Sequence, residues 1–268
     1  MAPVAGGNLW LATAGSTGVL NFGPPPATPA GVPLILSVYN AASYHLSDTV
    51  APGEAVAIFG EQLAPAAQQA LSYPLPPSLG GVSVTVGGIA APLYFVSPGQ
   101  INFQVPYGVQ ATYGAPPVSA TLVVTNGSQS GQRTLYVVAG APGIFTASGD
   151  GSTDQAYVVH TSDYSRVTQS NPAKAGEYLA IFCTGLGATD PPSVEGQPAQ
   201  AAPVLPTSLF IVDVDGREAL PSYAGLAPGF AGLYQVNFQL FSDQQSGMRM
   251  LIVASGLSSS QFVPLWVQ

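Results

Sequence analysis

Between residues 80 and 109 apolar and polar positions alternate with a period of two. Val82, Val84 and Val86 are separated by Ser83 and Thr85, and Ile101, Phe103 and Val105 by Asn102 and Gln104. Successive side chains on a strand point to opposite faces, so the pattern predicts strands with one face buried. Gly87-Gly88 supplies a two-residue hairpin connection, and Ser97-Pro98-Gly99 a second turn. The same plan recurs over residues 209 to 241. Asp215-Gly216 replaces Gly87-Gly88, Leu226-Ala227-Pro228-Gly229 replaces Val96-Ser97-Pro98-Gly99, and QVNFQLF echoes INFQVPY. One unit of strands and turns has been used twice.

The copies extend in both directions. Pro52-Gly53-Glu54 and the run Ala55 to Phe59 correspond to Gly176-Glu177 and Tyr178 to Cys183, while Ala120 to Thr125 corresponds to Arg249 to Ala254. This divides the chain into an arm and Pro-rich connector (1–33), a first module (34–140) and a second (141–268). Each module is large enough for its own core, and its short strands and regular turns predict an antiparallel β-sandwich. Residues 66 to 79 read as a loop with one or two short helical turns, ended by Pro74, Pro76 and Pro77. Residues 185 to 206 read as a long, open, Pro-rich loop. The arm belongs to neither copy: it either packs on its own first module as an extra edge strand or surface loop, pairs with an exposed sheet edge of a neighbouring molecule, or is the tail of a preceding domain. Its runs Leu9-Trp10-Leu11 and Val19-Leu20-Asn21-Phe22 are strand-like, and the connector PPPATPAGVP is semi-rigid.

Composition narrows the function classes. With 5 Lys and Arg against 13 Asp and Glu, the formal net charge is −8; the five cations are scattered, which excludes a phosphate-neutralising stripe and with it nucleic acid. An anionic membrane surface is disfavoured by the same sign, and no apolar run is long enough for a helical membrane span. The 31 Gly and 26 Pro suit turns and oppose helices. Cys183 is the single cysteine, so no intrachain disulfide forms; in the run YLAIFCTG it reads as a small buried hydrophobe. The opening residues lack the basic and apolar regions of a signal peptide.

The motifs NAASY at 40–44, APGEAVAIFGEQLAP at 51–65, the 80–109 stretch, APGIF at 141–145, GEYLAIFCTGLGAT at 176–189 and YAGLAPGFAGLYQVNFQL at 223–240 closely resemble the uncharacterised C-terminal domain abundant in Solibacter and other Acidobacteria. The resemblance covers residues 34 to 268. It implies a fold like immunoglobulin or IPT/TIG sandwiches, in proteins that are secreted and carry the domain at their C-terminal end. That family has no established biochemical activity, so it lends no functional residues. The segment ahead of the domain is short for such a layout, which favours a self-contained subunit or a piece of a longer chain. The expected fold is thus all-β, two immunoglobulin-like antiparallel sandwiches in tandem with an extended N-terminal arm.

No constellation of residues calls for catalysis, a cofactor or a metal. Asp213, Asp215 and Glu218 cluster, but Asp215-Gly216 is explained as a hairpin turn. Asp150, Asp154 and Asp163 lie in a Gly-rich stretch without the order of a calcium loop. His45 and His160 are isolated and read as surface or edge residues. Ser97 lacks a nucleophile elbow, and Glu54 and Glu177 occupy equivalent positions in two copies rather than facing one sugar. The aromatics Tyr94, Phe95, Phe103, Tyr107, Tyr223, Phe230, Tyr234, Phe238 and Phe241 divide between cores and junction, or form a carbohydrate platform if exposed. Asn102, Gln104, Asn237 and Gln239 recur on the opposite face, solvated or at a module interface.

The expected function is a non-enzymatic extracellular or cell-surface structural protein. Its partners are copies of itself or other surface proteins, joined through sheet edges and the arm residues Leu9, Trp10, Leu11, Val19, Leu20 and Phe22. The alternative is a carbohydrate-binding or adhesion module that uses the aromatics and the loops at 66–79 and 185–206.

Overall fold

The computed structural model describes residues 8–13, 16–21, 31–148, 155–200, 205–206, 209–256 and 258–268, the first two spans as backbone alone. The fold is all-β, a tandem of immunoglobulin-like sandwiches, and contains no helix among the described residues. In the first sandwich one sheet runs in the order Leu34–Asn40, Ala55–Glu61, Gln100–Gln104, Leu93–Val96, Gln68–Gln69. The facing sheet runs Thr49–Val50, Gln129–Val137, Val118–Asn126, Val82–Val86, Ser78–Leu79, with Ile89–Ala91 also on Val82–Val86. The alternation seen in sequence is realised as burial: Val82, Val84 and Val86 are wholly buried, and Ser83 and Thr85 are half-buried on the other face.

The second sandwich repeats the first, register for register. Val86 faces Leu122 as Val214 faces Leu251, and Phe103 faces Val56 as Phe238 faces Leu179. Both hairpins turn through paired left-handed residues, Gly87 and Gly88 at φ 59° and 81°, and Asp215 and Gly216 at φ 53° and 79°. Asp tolerates this region better than most residues with a Cβ. In each copy the first turn N–H donates to the neighbouring strand, Gly87 to Thr121 and Asp215 to Met250, both at 2.9 Å. One parallel pairing is copied too, since Thr49–Val50 runs parallel to Tyr136–Val137 and Ala173 bridges Val267 in parallel.

Two separate apolar cores result. One is built around Ile58, Phe103, Leu122 and Leu135, the other around Ile181, Tyr234, Phe238 and Leu251. Cys183 packs inside the second core, where burial pushes its thiol pKa up.

Two local expectations are corrected. Residues 66–79 contain no helical turn; Gln68–Gln69 forms an edge strand, with Gln69 opposite Phe95 and Gln68 opposite Val96, because the preceding Pro65 and the prolines that follow favour extended chain. The two runs of the arm pair with each other as an antiparallel hairpin of Asn8–Thr13 and Ser16–Asn21. In that register Leu9 faces Leu20 and Trp10 faces Val19, with Leu11 opposite Gly18. Phe22 lies outside the described residues.

Phe103 is fully buried at the centre of the first core. Phe103→Ala is expected to lower stability by about 3–5 kcal/mol in denaturant titration, the range for deleting a buried aromatic. A loss under about 1 kcal/mol would place Phe103 outside the core, against the structure.

Candidate functional site

The region joining the two sandwiches concentrates the buried polar groups. It begins at the turn Ala51-Pro52-Gly53-Glu54. Gly53 sits at φ 76°, and a Cβ there would lie 2.2 Å from the Tyr107 ring, so glycine is required on both counts. Its N–H donates to Val105 O at 2.9 Å. The turn folds the Glu54 carboxyl inward, where one oxygen accepts from Ala51 N at 2.7 Å and the other from Asn40 Nδ2 at 2.9 Å. Asn40 Nδ2 also donates to Ala141 O at 3.2 Å, and its Oδ1 accepts from Ala42 N and Ser43 N. Glu54 is 1% exposed. Burial, only partly offset by those two hydrogen bonds, pushes its pKa up from 4.5 to about 8.

The second sandwich builds the same device with another partner. Glu177 accepts from Lys174 N at 2.8 Å and lies 2.6 Å from His160 Nδ1, while His160 Nε2 lies 3.3 Å from Asn171 O. Both ring nitrogens face oxygen acceptors. His160 is therefore a buried partner of Glu177, 7% exposed, and not the surface residue its isolation in sequence implies. Tyr44 and Tyr164 occupy matching left-handed positions at φ 48° and 58° in the two turns, and each N–H donates back to Asn40 O or His160 O at 2.9 Å.

Between the sandwiches, Gln104 is wholly buried, and its Oε1 accepts from Gly196 N at 2.8 Å. Thr184 Oγ1 accepts from Ala55 N at 2.9 Å and donates to Gly232 O at 2.8 Å. Tyr94 Oη donates to Ala231 O at 3.0 Å, and Gly108 N to Glu195 Oε1 at 3.1 Å. Gly196, at φ 70°, leaves room for no side chain: a Cβ would sit 2.9 Å from Leu75 O and 3.0 Å from Pro92 Cβ. Leu75 N in turn donates to Gly196 O at 2.8 Å. The loops are therefore fastened to one another at Leu75 and Gly196, a correction to the reading of 185–206 as open. Burial raises the Tyr107 pKa to about 12 and those of Tyr94 and Tyr234 further still.

The aromatics named from sequence separate. Phe103, Tyr234 and Phe238 are core; Tyr94 and Tyr107 face the junction; Phe241 lies under the Arg217 guanidinium, 3.9 Å from its ring centre. Phe230 is 52% exposed and, with Tyr73, Tyr94, Asn102 and Phe145, lines a groove of about 320 Å³ contributed by both modules. Sequence reasoning passed over Tyr73 and Phe145, which lie outside any alternating run. Asn102 is held by Gln100 Nε2 at 2.8 Å, Asn237 by Gln235 Nε2 at 2.8 Å, and Gln239 donates to Gly176 O at 2.9 Å.

The acidic clusters have local partners. Asp213 caps the hairpin by accepting from Gly216 N at 2.8 Å, and Asp215 accepts from Met250 N at 2.9 Å and from Arg249 Nη1 at 3.2 Å. Asp163 accepts from Ser165 N and Oγ, which lowers its pKa; Asp150 and Asp154 lie outside the described residues. His45 is exposed, and the hydroxyls of Ser43 and Ser47 near it accept from His45 N and Thr49 N. Among the described residues no group of three metal-ligating side chains occurs.

Comparison with known proteins finds no matching family model and no matching curated sequence. Solved structures do match. The SGBP-B protein of a Bacteroides ovatus mixed-linkage glucan utilization locus, solved with a mixed-linkage heptasaccharide, is 10% identical at TM-score 0.35, over 94% of this chain and 48% of that one. This chain thus spans about half of that protein's length. Domains 5–6 of the S-layer protein SbsC are 13% identical at TM-score 0.24, over 88% and 98% of the two chains. The I9–I11 tandem of titin is 9% identical at TM-score 0.24, over 100% and 84%.

Glu54 keeps its proton in the folded chain to about pH 8 and loses it near 4.5 when unfolded. The folded state binds more protons between those values, so its stabilising contribution is complete below about pH 4.5 and is lost as pH rises through 8. Glu54→Gln is expected to flatten the stability profile over that window, relative to wild type, by up to about 1.4 kcal/mol per pH unit. Parallel profiles for the two proteins in denaturant titrations would show that Glu54 titrates normally.

Proposed function

We propose that this chain is a non-enzymatic structural module of the extracellular surface, a stiff two-sandwich spacer that associates with copies of itself. The observation that carries this reading is the junction. Gln104 and Thr184 are buried and hydrogen-bonded across it, and the loops of the two halves are fastened at Gly196, so the sandwiches meet through satisfied polar contacts in place of a free linker. The strong resemblance of residues 34–268 to the C-terminal domain of secreted proteins supports the placement at the surface. The low density of charged residues, 7% of the chain, supports association through neutral surfaces.

A second reading, neutral carbohydrate binding, is favoured by the junction groove. Tyr73 and Phe230 offer exposed aromatic faces beside the Asn102 amide, and no charged side chain lines it. Aromatic rings that present a flat apolar face next to amide groups suit the CH face and hydroxyls of a pyranose.

Small-angle scattering tests the first reading. Wild type is expected to give one narrow distribution of maximum dimension, and Gly196→Val a broadened one with about 1–3 kcal/mol lost from the junction. Equal flexibility in both proteins would remove the spacer reading. For the second, titration calorimetry with neutral β-glucan oligosaccharides is expected to show binding that Phe230→Ala weakens about tenfold, the worth of roughly 1.4 kcal/mol of stacking; silence with every glycan tested would end it.

A further inference from the structure

The junction carries a second cavity, which shares no lining residue with the Tyr73–Phe230 groove. Its volume is about 430 Å³, and both modules wall it: Ser43, His45 and Thr49 from the first, Ser258 and Ser259 from the second. Glu54 lines it while only 1% exposed, so it stands at the back. Most polar groups around the cavity are spent on the protein. Asn40 uses both ends of its amide, Gln261 exchanges two bonds with the Ile144 backbone, and Ser47 and Ser260 each donate and accept. The hydroxyls of Thr49, Ser258 and Ser259 take no part in these bonds. Each Glu54 oxygen accepts one hydrogen bond, from Asn40 Nδ2 or Ala51 N, and a carboxylate oxygen has room for two.

The second module shows what the same carboxyl receives when the chain supplies a partner that can be charged. Glu177 occupies the equivalent turn, 2.6 Å from His160 Nδ1. Register fixes the equivalence, since Asn40 pairs with Val56 as His160 pairs with Leu179. In the first module that place belongs to an amide, which never ionises, and Glu54 forms no ion pair among the described residues. The other titratable group on the pocket wall is His45, exposed on the turn after Asn40. A buried charge is kept where it is paired and neutralised where it is not. The first module therefore has a buried carboxyl, open to a cavity, whose counter-charge can come from outside the chain.

We propose that this pocket binds a small hydroxylated organic cation, a polyol bearing one primary ammonium, with the ammonium on the Glu54 carboxylate and the hydroxyls on Ser43, Thr49, Ser258 and Ser259. An ammonium carries three N–H donors and no acceptor, which suits the open carboxylate positions and hydroxyl oxygens. An inorganic ion would fill a small part of the volume, and a divalent site collects more oxygen ligands than one carboxylate whose oxygens already accept N–H bonds. Binding sends the Glu54 proton to solvent. The free protein keeps that proton to about pH 8, whereas an alkylammonium like that of lysine stays charged to about pH 10. The complex holds one proton fewer below pH 8, so affinity rises with pH up to that point and levels beyond it. The ligand touches both modules and adds to the clamp that Asn40 makes to Ala141.

Titration calorimetry with glucamine and sorbitol, which differ only by an ammonium in place of a hydroxyl, tests this. Glucamine affinity is expected to rise about tenfold per pH unit from about pH 6 to about pH 8. Sorbitol is expected to bind at least about tenfold more weakly at pH 8 and to show no such rise. Glu54→Gln is expected to remove the rise and at least about thirtyfold of the glucamine affinity at pH 8. Ser258→Tyr fills the pocket from the second module without touching the Glu54 turn; it is expected to lose binding at wild-type stability, which guards against a folding defect in Glu54→Gln. His45→Gln is expected to keep the rise. No binding of glucamine at about 10 mM, an affinity independent of pH, equal binding of sorbitol, a rise lost in His45→Gln, or binding unaltered in Glu54→Gln or Ser258→Tyr would each overturn the proposal.

Discussion

The structure depends on one buried carboxyl and what it grips. Glu54 closes its own turn through Ala51 N and, through Asn40, holds the chain at Ala141, where the first sandwich hands over to the second. A carboxyl taken fully out of water is unfavourable when ionised, and its hydrogen bonds from Ala51 N and Asn40 Nδ2 only partly offset this, so the protein keeps the proton instead. Glu177 does the same structural work beside His160, whose ring takes the place of the Asn40 amide. In the first copy the chain also returns close to this amide: a Cβ on Gly143 would lie 2.1 Å from Asn40 Oδ1.

From that grip follows the character of the junction. Holding residue 141 beside Asn40 brings Thr184 within reach of Ala55 N and lets the 185–200 segment fold back over the first sandwich, where Gly196 meets Gln104. Each of these polar groups is satisfied, and a buried polar group that must find its partner penalises every other orientation of the two halves. Apolar contact alone would permit sliding. The groove between Tyr73 and Phe230 is a consequence of the same fixed orientation, since its walls come from both sandwiches.

How much of this was legible in the sequence varies by kind of contact. The alternating valines, the Gly87-Gly88 and Asp215-Gly216 turns and the copied strands were readable because they are local, set by a period of two and by backbone stereochemistry. The partnership of His160 with Glu177 was not, because nothing in a lone histidine tells which distant turn folds over it. The loops at 66–79 and 185–206 misled for a related reason. Their prolines and glycines look like freedom, whereas Gly196 is needed where two backbones approach too closely for a side chain. Tyr73 and Phe145 escaped notice since loop aromatics carry no periodicity at all.

A duplicated fold separates what architecture needs from what it does not. Where both copies agree, as at Phe103 and Phe238 or at Gly53 and Gly176, the residue is accounted for by packing or backbone conformation. Where a buried position differs, as at Asn40 and His160, each residue still partners the glutamate of its own turn. Outward positions lie off both cores. Thr121 and Met250 occupy the same place on the same sheet, and the interior is indifferent to which is present. A methionine there leaves apolar surface in water that threonine would not, a standing disadvantage for an isolated molecule. The asymmetry between the copies is therefore not set by the interior of the sandwich.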